Sequence, residues 1–206
     1  MEERRARALN AFNDDVMRKV IVSNLISLDG FISGPNGEID WFKWDKEVED
    51  YVKAQLGSMD TILFGRVTYE LMASYWPTAT AATNDQMIID AMNNLPKIVF
   101  SKTLEKVEWN NSRLVKDDIE GEVAKLKRQP GKDMVIYGSG GIVSTLTQMG
   151  LIDEYRIFVN PIVLGNGKPL FKDIQSRLTL KHINTKSFGN GLVLLCYRPE
   201  EKNDRA

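Results

Sequence analysis

Strand-like and helix-like segments alternate through the first three quarters of the chain. Short apolar runs such as VIVSNLISL, TILF, KIVF and DMVIY predict buried strands. Apolar residues spaced three and four apart predict a helix over residues 45–56, with Asp45 as its cap. Further helices are predicted over VTYELMASY, TNDQMIIDAMNN and IVSTLTQMG. The segment SRLVKDDIEGEVAKLKRQPG predicts a strand fragment and then a helix that Pro130 and Gly131 end. This alternation is typical of an α/β protein whose mainly parallel sheet carries helices on both faces.

The last quarter has a different pattern. From Asp153 the segments EYRIFVNPIVLG, RLTLKHINTKSF and GLVLLCYRP are all strand-like, and no helix-length segment separates them. They predict antiparallel strands added at one edge of the sheet. After the first strand, LDGFISGPNGEIDWF is rich in Gly, Pro, Asp and Asn and predicts a long loop. Residues 1–16 are expected to form a tail, and residues 17–200 a single domain.

Composition excludes several classes of function. Lys and Arg number 27 against 28 Asp and Glu, so the chain has no basic field for nucleic acid or an anionic membrane surface. Its apolar runs are too short to span a bilayer, and its N-terminus lacks a secretory core, so we expect a cytoplasmic protein. The single Cys196 and single His182 leave no disulfide and no Cys/His zinc site, and no metal is expected. Cys196 lies in an apolar run and is expected to be a buried structural thiol.

Three of the predicted strands end in residues suited to a phosphate-bearing cofactor. Glycines allow close approach of the backbone, hydroxyls and free amides at a helix start bind phosphate oxygens, and Arg and Lys supply charge. In chain order these residues are Gly65, Arg66 and Thr68; Ser101 and Lys102; and Gly138, Ser139, Gly140 and Gly141. Parallel strands bring their carboxyl ends to one edge of the sheet, so the three groups are expected to lie together.

Each group alone has a simpler structural explanation. A glycine-rich turn also serves close packing, and a basic residue after a strand is often a solvated surface charge. The segment GSGG does not fit the pattern G-x-G-x-x-G, because position 143 is Val. Three such strand ends at one edge of the sheet indicate a phosphate-binding site more strongly than any one of them. Basic groups at two of the strand ends favour a cofactor with a 2′-phosphate.

The same segments resemble a known superfamily in order and spacing. GRVTYE, VFSK and YGSGGIV are similar to the cofactor loops of dihydrofolate reductases. SLDG after the first strand, Trp41, and NPIVLGNGKPLF resemble the reductase domain of riboflavin biosynthesis, which shares that fold. The resemblance covers about residues 17–198. It implies a three-layer dihydrofolate-reductase-like fold and an enzyme that transfers hydride from NADPH to a pterin- or pyrimidine-like heterocycle.

The resemblance also implies roles for individual residues of the cofactor loops. Arg66 and the pair Ser101 and Lys102 would lie near the adenosine 2′-phosphate. Thr68 and residues 138–141 would hold the pyrophosphate. The fold would then orient the nicotinamide against its acceptor and exclude water, while the cofactor supplies the hydride.

The substrate side departs from both relatives. Residues 29–41 would close beside the nicotinamide, which makes Asp29 and Trp41 candidate substrate-binding residues. Riboflavin-pathway reductases carry an Arg for the sugar phosphate where this chain has Leu56. Dihydrofolate reductases need an acidic group on the first helix, and counting back from Gly65 places Glu49 there, although a carboxylate on a helix face is commonly just solvated.

Four functions therefore stay open from the sequence. They are reduction of 5-amino-6-(5-phosphoribosylamino)uracil or a related heterocycle, reduction of dihydrofolate, nucleotide binding without catalysis, and a structural or partner-binding role without a cofactor. The late strands EYRIFVNPIV and GLVLLCYRP are rich in apolar residues. Because related reductase domains pair in this way, a homodimer is expected.

Overall fold

A computed structural model of the protein describes residues 17–200, and the tail predicted over residues 1–16 lies outside them. The strands are β1 (Val20–Ser27), β2 (Phe31–Ser33), β3 (Met59–Gly65), β4 (Lys97–Phe100), β5 (Ser112–Val115), β6 (Asp133–Ile136), β7 (Glu154–Asn160), β8 (Lys168–Pro169), β9 (Leu180–Ser187) and β10 (Val193–Pro199). The helices are α1 (Lys46–Leu56), α2 (Arg66–Tyr75), α3 (Gln86–Asn94), α4 (Ile119–Lys127) and α5 (Gly140–Gln148).

The main sheet has eight strands in the order β5-β4-β3-β6-β1-β7-β10-β9. All pairings from β5 through to β7 are parallel. The last two strands are antiparallel, since β10 pairs in that sense with both β7 and β9. The mixed, mostly parallel sheet with antiparallel C-terminal strands confirms the fold class predicted from the pattern of segments.

Helices cover both faces of this sheet, as predicted. On one face, residues of α4 and α5 such as Val123 and Leu146 pack with Val22, Ile136 and Tyr155 of the central strands. The other face, called the α1 face below, is covered by α1, α2 and α3. Its apolar residues form two separate clusters, one around β3 and β4 and one around β7 and β10.

Helix α1 begins where the sequence predicted. Asp45 is its N-cap, and its Oδ1 accepts a hydrogen bond of 3.1 Å from the amide of Val48. Val48 is fully buried and Leu56 is nearly so. Their spacing places both on the face of the helix that packs against the sheet. The cap and the apolar stripe together fix where α1 starts and which side it presents to the strands.

A fully buried lysine follows helix α3 at the start of β4. The Lys97 ammonium donates hydrogen bonds of 2.9–3.0 Å to the carbonyls of Asn93, Leu95 and Asn110. It also lies 4.4 Å from the centre of the Trp109 ring. Burial lowers the pKa of Lys97 to about 8, so the ammonium still predominates at neutral pH. Lys97 thereby joins the end of α3 to the segment that leads into β5.

Two segments differ from the sequence prediction. The predicted loop after β1 contains the short strand β2, which pairs with β8 in a separate two-stranded sheet. Strand β7 ends at Asn160 instead of continuing through the apolar PIVLG, because Pro161 has no amide hydrogen for the ladder. Within residues 17–200, no helix is long and apolar enough to cross a membrane.

The apolar residues that supported the dimer expectation are mostly used inside the chain. Phe158 of β7 and Leu194 of β10 pack together in the cluster on the α1 face, and Tyr155 lies in the core of the opposite face. The homodimer stays a prediction.

Candidate functional site

The strand ends singled out in the sequence meet at the carboxyl edge of the sheet. Gly65, the last residue of β3, is paired with Phe100 of β4, so Arg66 and Ser101 leave the sheet at the same level. Leu63 of β3 is paired with Ile136 of β6, which places the glycine loop (residues 138–141) beside them. The three groups are neighbours because β4, β3 and β6 are adjacent and parallel.

Two of the groups are joined directly by hydrogen bonds. The Ser139 amide donates to the Thr68 hydroxyl oxygen at 2.9 Å, and the Gly65 amide donates to the Ser139 hydroxyl oxygen at 3.0 Å. Both hydroxyls act as acceptors in this arrangement, so each keeps its own proton to donate. The glycine loop and the start of α2 therefore form one rigid unit.

The backbone of the glycine loop takes a conformation that favours glycine. Gly138 and Ser139 are both left-handed, with φ of 58° and 57°. A Cβ on Gly138 would meet the Thr68 methyl at 3.0 Å, so the close approach of the two loops requires a glycine there. A Cβ on Gly140 would lie 2.9 Å from the carbonyl oxygen of Pro169. Packing thus explains the first and third residues of GSGG.

The start of α5 presents free amides. Helix α5 has no side-chain cap, and among residues 17–200 no acceptor binds the amides of Gly140 and Gly141. A Cβ on Gly141 would meet nothing within 4 Å, so the space in front of this residue is open. Free amides at the positive end of a helix are suited to an anionic group, and binding at these amides stays a prediction.

Asn24 holds the glycine loop from below, and the sequence reasoning missed it. This residue of β1 is almost fully buried. Its side-chain amide donates to the Gly138 carbonyl at 2.9 Å, and its carbonyl oxygen accepts from the Gly138 amide. A polar residue inside the apolar run VIVSNLISL was the available signal, because a buried amide needs hydrogen-bond partners.

The basic residues lie at the neighbouring strand ends. Arg66 is the first residue of α2, is about half exposed, and forms an ion pair of 2.9 Å with Glu70 one turn along the helix. The Ser101 hydroxyl oxygen accepts from the amides of Thr103 and Leu104, which fixes the turn after β4. Lys102 is exposed at that turn. The Arg66 guanidinium, the Lys102 ammonium and the Ser101 hydroxyl therefore lie near the N-terminus of α2.

Asp29 connects two loops at the same edge of the sheet. Its carboxylate accepts hydrogen bonds from the amides of Leu164 (3.1 Å) and Gly165 (2.8 Å). The Ser27 hydroxyl and then these two amides hold the pKa of Asp29 below its ordinary value. Trp41 is half-buried in the following loop and donates to the Glu38 carbonyl at 3.1 Å. Asp29 thus positions the loop after β7, and a substrate contact for either residue stays a prediction.

Glu49 lies on α1 in a group of charges. Its carboxylate is 3.6 Å from the Lys53 ammonium, which also binds Asp50 at 3.1 Å and Asp85 at 2.8 Å. Lys53 therefore ties α1 to the start of α3. No hydrogen bond among residues 17–200 links Glu49 to the glycine loop, and its catalytic role stays a prediction. At position 56 the resemblance to riboflavin-pathway reductases implies an Arg. The residue present, Leu56, is buried in the core.

Comparison with known proteins gives a family and a fold. Residues 18–194 match the model of the RibD C-terminal domain. A curated relative, the uncharacterized protein YyaP of Bacillus subtilis, is 37% identical over 187 residues, which are 90% of this chain and 97% of that protein.

Two solved structures are similar to this one. A putative riboflavin biosynthesis protein from Shewanella sp. PV-4 has a TM-score of 0.73 at 25% identity, covering 89% of this chain and 99% of that one. Dihydrofolate reductase from Enterococcus faecalis, solved with NADP(H) and RAB-propyl, has a TM-score of 0.58 at 15% identity, covering 89% and 97% of the two chains. The second likeness shows that the fold is dihydrofolate-reductase-like.

Proposed function

The chain belongs to the RibD C-terminal domain family, and we propose that it is an NADPH-dependent reductase of a pterin- or pyrimidine-like heterocycle. Membership of this family supports a reductase of the riboflavin-biosynthesis type. The use of NADPH, the kind of substrate and the catalytic activity are our proposal. The observation that carries the proposal is the glycine loop, in which the amides of Gly140 and Gly141 are free and the space at Gly141 is open, at the same edge of the sheet as Arg66 and Lys102.

The glycine loop fits the pyrophosphate of such a cofactor. The amides of Gly140 and Gly141 and the positive end of α5 would bind its oxygens. The hydroxyls of Thr68 and Ser139 accept hydrogen bonds from the backbone, which leaves their protons free to be donated to phosphate. Asn24 keeps the loop in place without touching the ligand.

A 2′-phosphate would lie at the neighbouring strand end. Arg66 would bind it with its planar guanidinium, and Lys102 with a point charge. The ion pair of Arg66 with Glu70 is exposed, so it competes weakly with a phosphate for the guanidinium. When bound, the cofactor supplies a hydride from its nicotinamide ring. The chain's own contribution is orientation and exclusion of water, with Asp29 holding the loop after β7 against the site.

Replacing Arg66 with Ala is expected to remove the preference for NADPH over NADH. Affinity for NADPH should fall about tenfold to a hundredfold, because a charged hydrogen-bonding partner of the 2′-phosphate is lost. Affinity for NADH, which has no such phosphate, should stay the same. Quenching of tryptophan fluorescence measures both dissociation constants.

Arg113→Ala is the matched control, since Arg113 is also half exposed and ion-paired, in its case with Glu122 on α4. It should leave both dissociation constants unchanged. Wild-type protein that binds NADPH and NADH equally well, or binds neither, would contradict the proposed cofactor.

Activity is tested by NADPH consumption with a panel of heterocycles. The panel contains dihydrofolate, other pterins and aminopyrimidinones with and without a ribosyl phosphate. The chain has Leu56, buried in the core, at the position where the resemblance implies an Arg for the sugar phosphate, so we expect turnover to gain little from that phosphate. Tight NADPH binding with no consumption across the panel would instead support a nucleotide-binding protein without catalysis.

Glu49 remains the proposed acid for protonation of the substrate. Glu49 lies on the α1 side of the sheet, where the substrate would bind. The substitution Glu49→Gln would keep the size of the side chain but remove the acidic proton. The Glu49 carboxylate lies 3.6 Å from the Lys53 ammonium, so the residue would have to leave this partner to reach a substrate.

A further inference from the structure

A row of polar groups crosses the α1 face at its centre. Ser23 of β1 is paired with Arg156 of β7. Tyr137 follows Ile136 of β6, which is paired with Val22, so Tyr137 stands beside Ser23 on the other side. Tyr137, Ser23 and Arg156 are called the polar row below. The three side chains share one face because neighbouring residues in register point the same way.

The polar row separates the two apolar clusters of this face. Tyr137 borders the cluster that contains Ile21 and Phe64, whereas Phe158 and Leu194 belong to the other cluster. From above, the Gln55 side chain of α1 accepts a hydrogen bond of 2.8 Å from Arg156. The core of the α1 face is therefore interrupted at the middle of the sheet, beneath the helix.

Solvent reaches this interruption. On the opposite face of the same central strands, Val22 and Ile136 have no exposed surface. On the α1 face, Tyr137 and Ser23 are only half-buried, and the Arg156 side chain keeps 14% of its exposure. Central strands of a covered sheet are normally buried on both faces. The α1 face is therefore less completely covered at the polar row than the opposite face is at the same strands.

Donor groups of the polar row lack partners among residues 17–200. Among residues 17–200, no hydrogen bond involves the hydroxyls of Tyr137 and Ser23, and Arg156 uses only Nε and Nη1, which leaves Nη2. Burial raises the pKa of Tyr137 to about 12, with Arg156 acting against it, so the phenol keeps its proton at physiological pH. The Glu154 carboxylate binds Arg156 Nε at 2.6 Å and offsets its charge.

We propose that the polar row is the floor of the substrate pocket, where Tyr137 and Arg156 donate hydrogen bonds to ring carbonyl oxygens of a neutral planar heterocycle. Donors without net charge suit carbonyl acceptors better than an anion. Tyr137 directly precedes Gly138, so a ligand on this floor lies beside the proposed cofactor site. The inference rests on the proposed reductase function and specifies its substrate as a carbonyl-bearing ring.

Binding of two fluorescent pteridines tests the polar row. Lumazine carries two ring carbonyls, whereas 2,4-diaminopteridine carries amino groups in their place. The wild-type protein should bind lumazine at least about tenfold more tightly, with or without NADPH, because only the carbonyls accept from the row. Tyr137→Phe should weaken lumazine binding by about tenfold, leave the binding of 2,4-diaminopteridine unchanged, and alter NADPH affinity by less than about twofold.

Tyr75→Phe is the control, since the Tyr75 hydroxyl is exposed at the end of α2 and accepts from Asn84. It should bind lumazine like the wild type, and thermal melts check that both variants are folded. The proposal is overturned if lumazine does not bind, if the diamino compound binds as tightly, or if the two variants behave alike. Failure of NADPH to bind would refute the proposed cofactor separately, because lumazine is also measured without it.

Discussion

Replacing Gly141 with Asp is expected to lower the affinity for NADPH at least about a hundredfold without loss of stability. A Cβ at Gly141 meets nothing within 4 Å, so we expect a short side chain to be accommodated there. Its carboxylate would stand where the pyrophosphate is proposed to bind. Two like charges about 4 Å apart near a protein surface repel by about 4 kcal/mol, more than the roughly 2.7 kcal/mol of a hundredfold loss.

The same substitution should stabilise the fold slightly. An acidic residue in the first turn of a helix gains about 0.3–1 kcal/mol from the helix dipole, and α5 has no side-chain cap. Fluorescence titration with NADPH measures the loss of affinity, and thermal unfolding measures the gain in stability. Gly141→Asn is the matched control, since it has the same shape without the charge and should lose far less affinity. Equal NADPH binding by the Asp variant and the wild type would refute the pyrophosphate site.

Lys97→Met is expected to destabilise the protein by about 3 kcal/mol. Methionine has nearly the same length but donates no hydrogen bond, so the carbonyls of Asn93, Leu95 and Asn110 lose a charged donor. For a chain of this size the melting temperature should fall by roughly 6–12 °C. Denaturant or thermal unfolding measures the loss.

Lys106→Met controls for the removal of a lysine from the surface. Lys106 is mostly exposed and forms only an exposed ion pair with Glu108, which contributes little to stability. It should change the unfolding free energy by less than about 0.5 kcal/mol. If Lys97→Met proved as mild as this control, the three carbonyls would be satisfied by water, and the account of Lys97 as the link between α3 and β5 would be wrong.

Much of the fold was predictable because its signals are local. The cap Asp45 and the spacing of Val48 and Leu56 lie within one segment, and the structure has both as expected. The strands were recognisable as apolar runs for the same reason. Strand β2 was not, since FIS is short and acquires its strand character only by pairing with Lys168 and Pro169, far along the chain.

Some residues of the candidate site were likewise predictable from local signals, and others were not. Gly65, Arg66 and the glycine loop follow directly after strands, and parallel strands bring such ends together whatever the details of packing. Asn24 was missed because its partner, Gly138, lies 114 positions away. The polar row was missed because Tyr137 and Arg156 look like ordinary strand residues until the register places them on one face.

The sequence by itself determined the alternation of elements, the mixed sheet they form and the edge at which the three candidate strand ends meet. These follow from hydrophobic periodicity and from chemistry at strand ends, which are properties of short segments. Only the tertiary structure decided that Ser139 and Thr68 join two loops, that Asp29 holds the loop after β7, and that Arg156 lies beneath Gln55 of α1. Those facts depend on strand order, register and helix placement, which arise from contacts between distant parts of the chain.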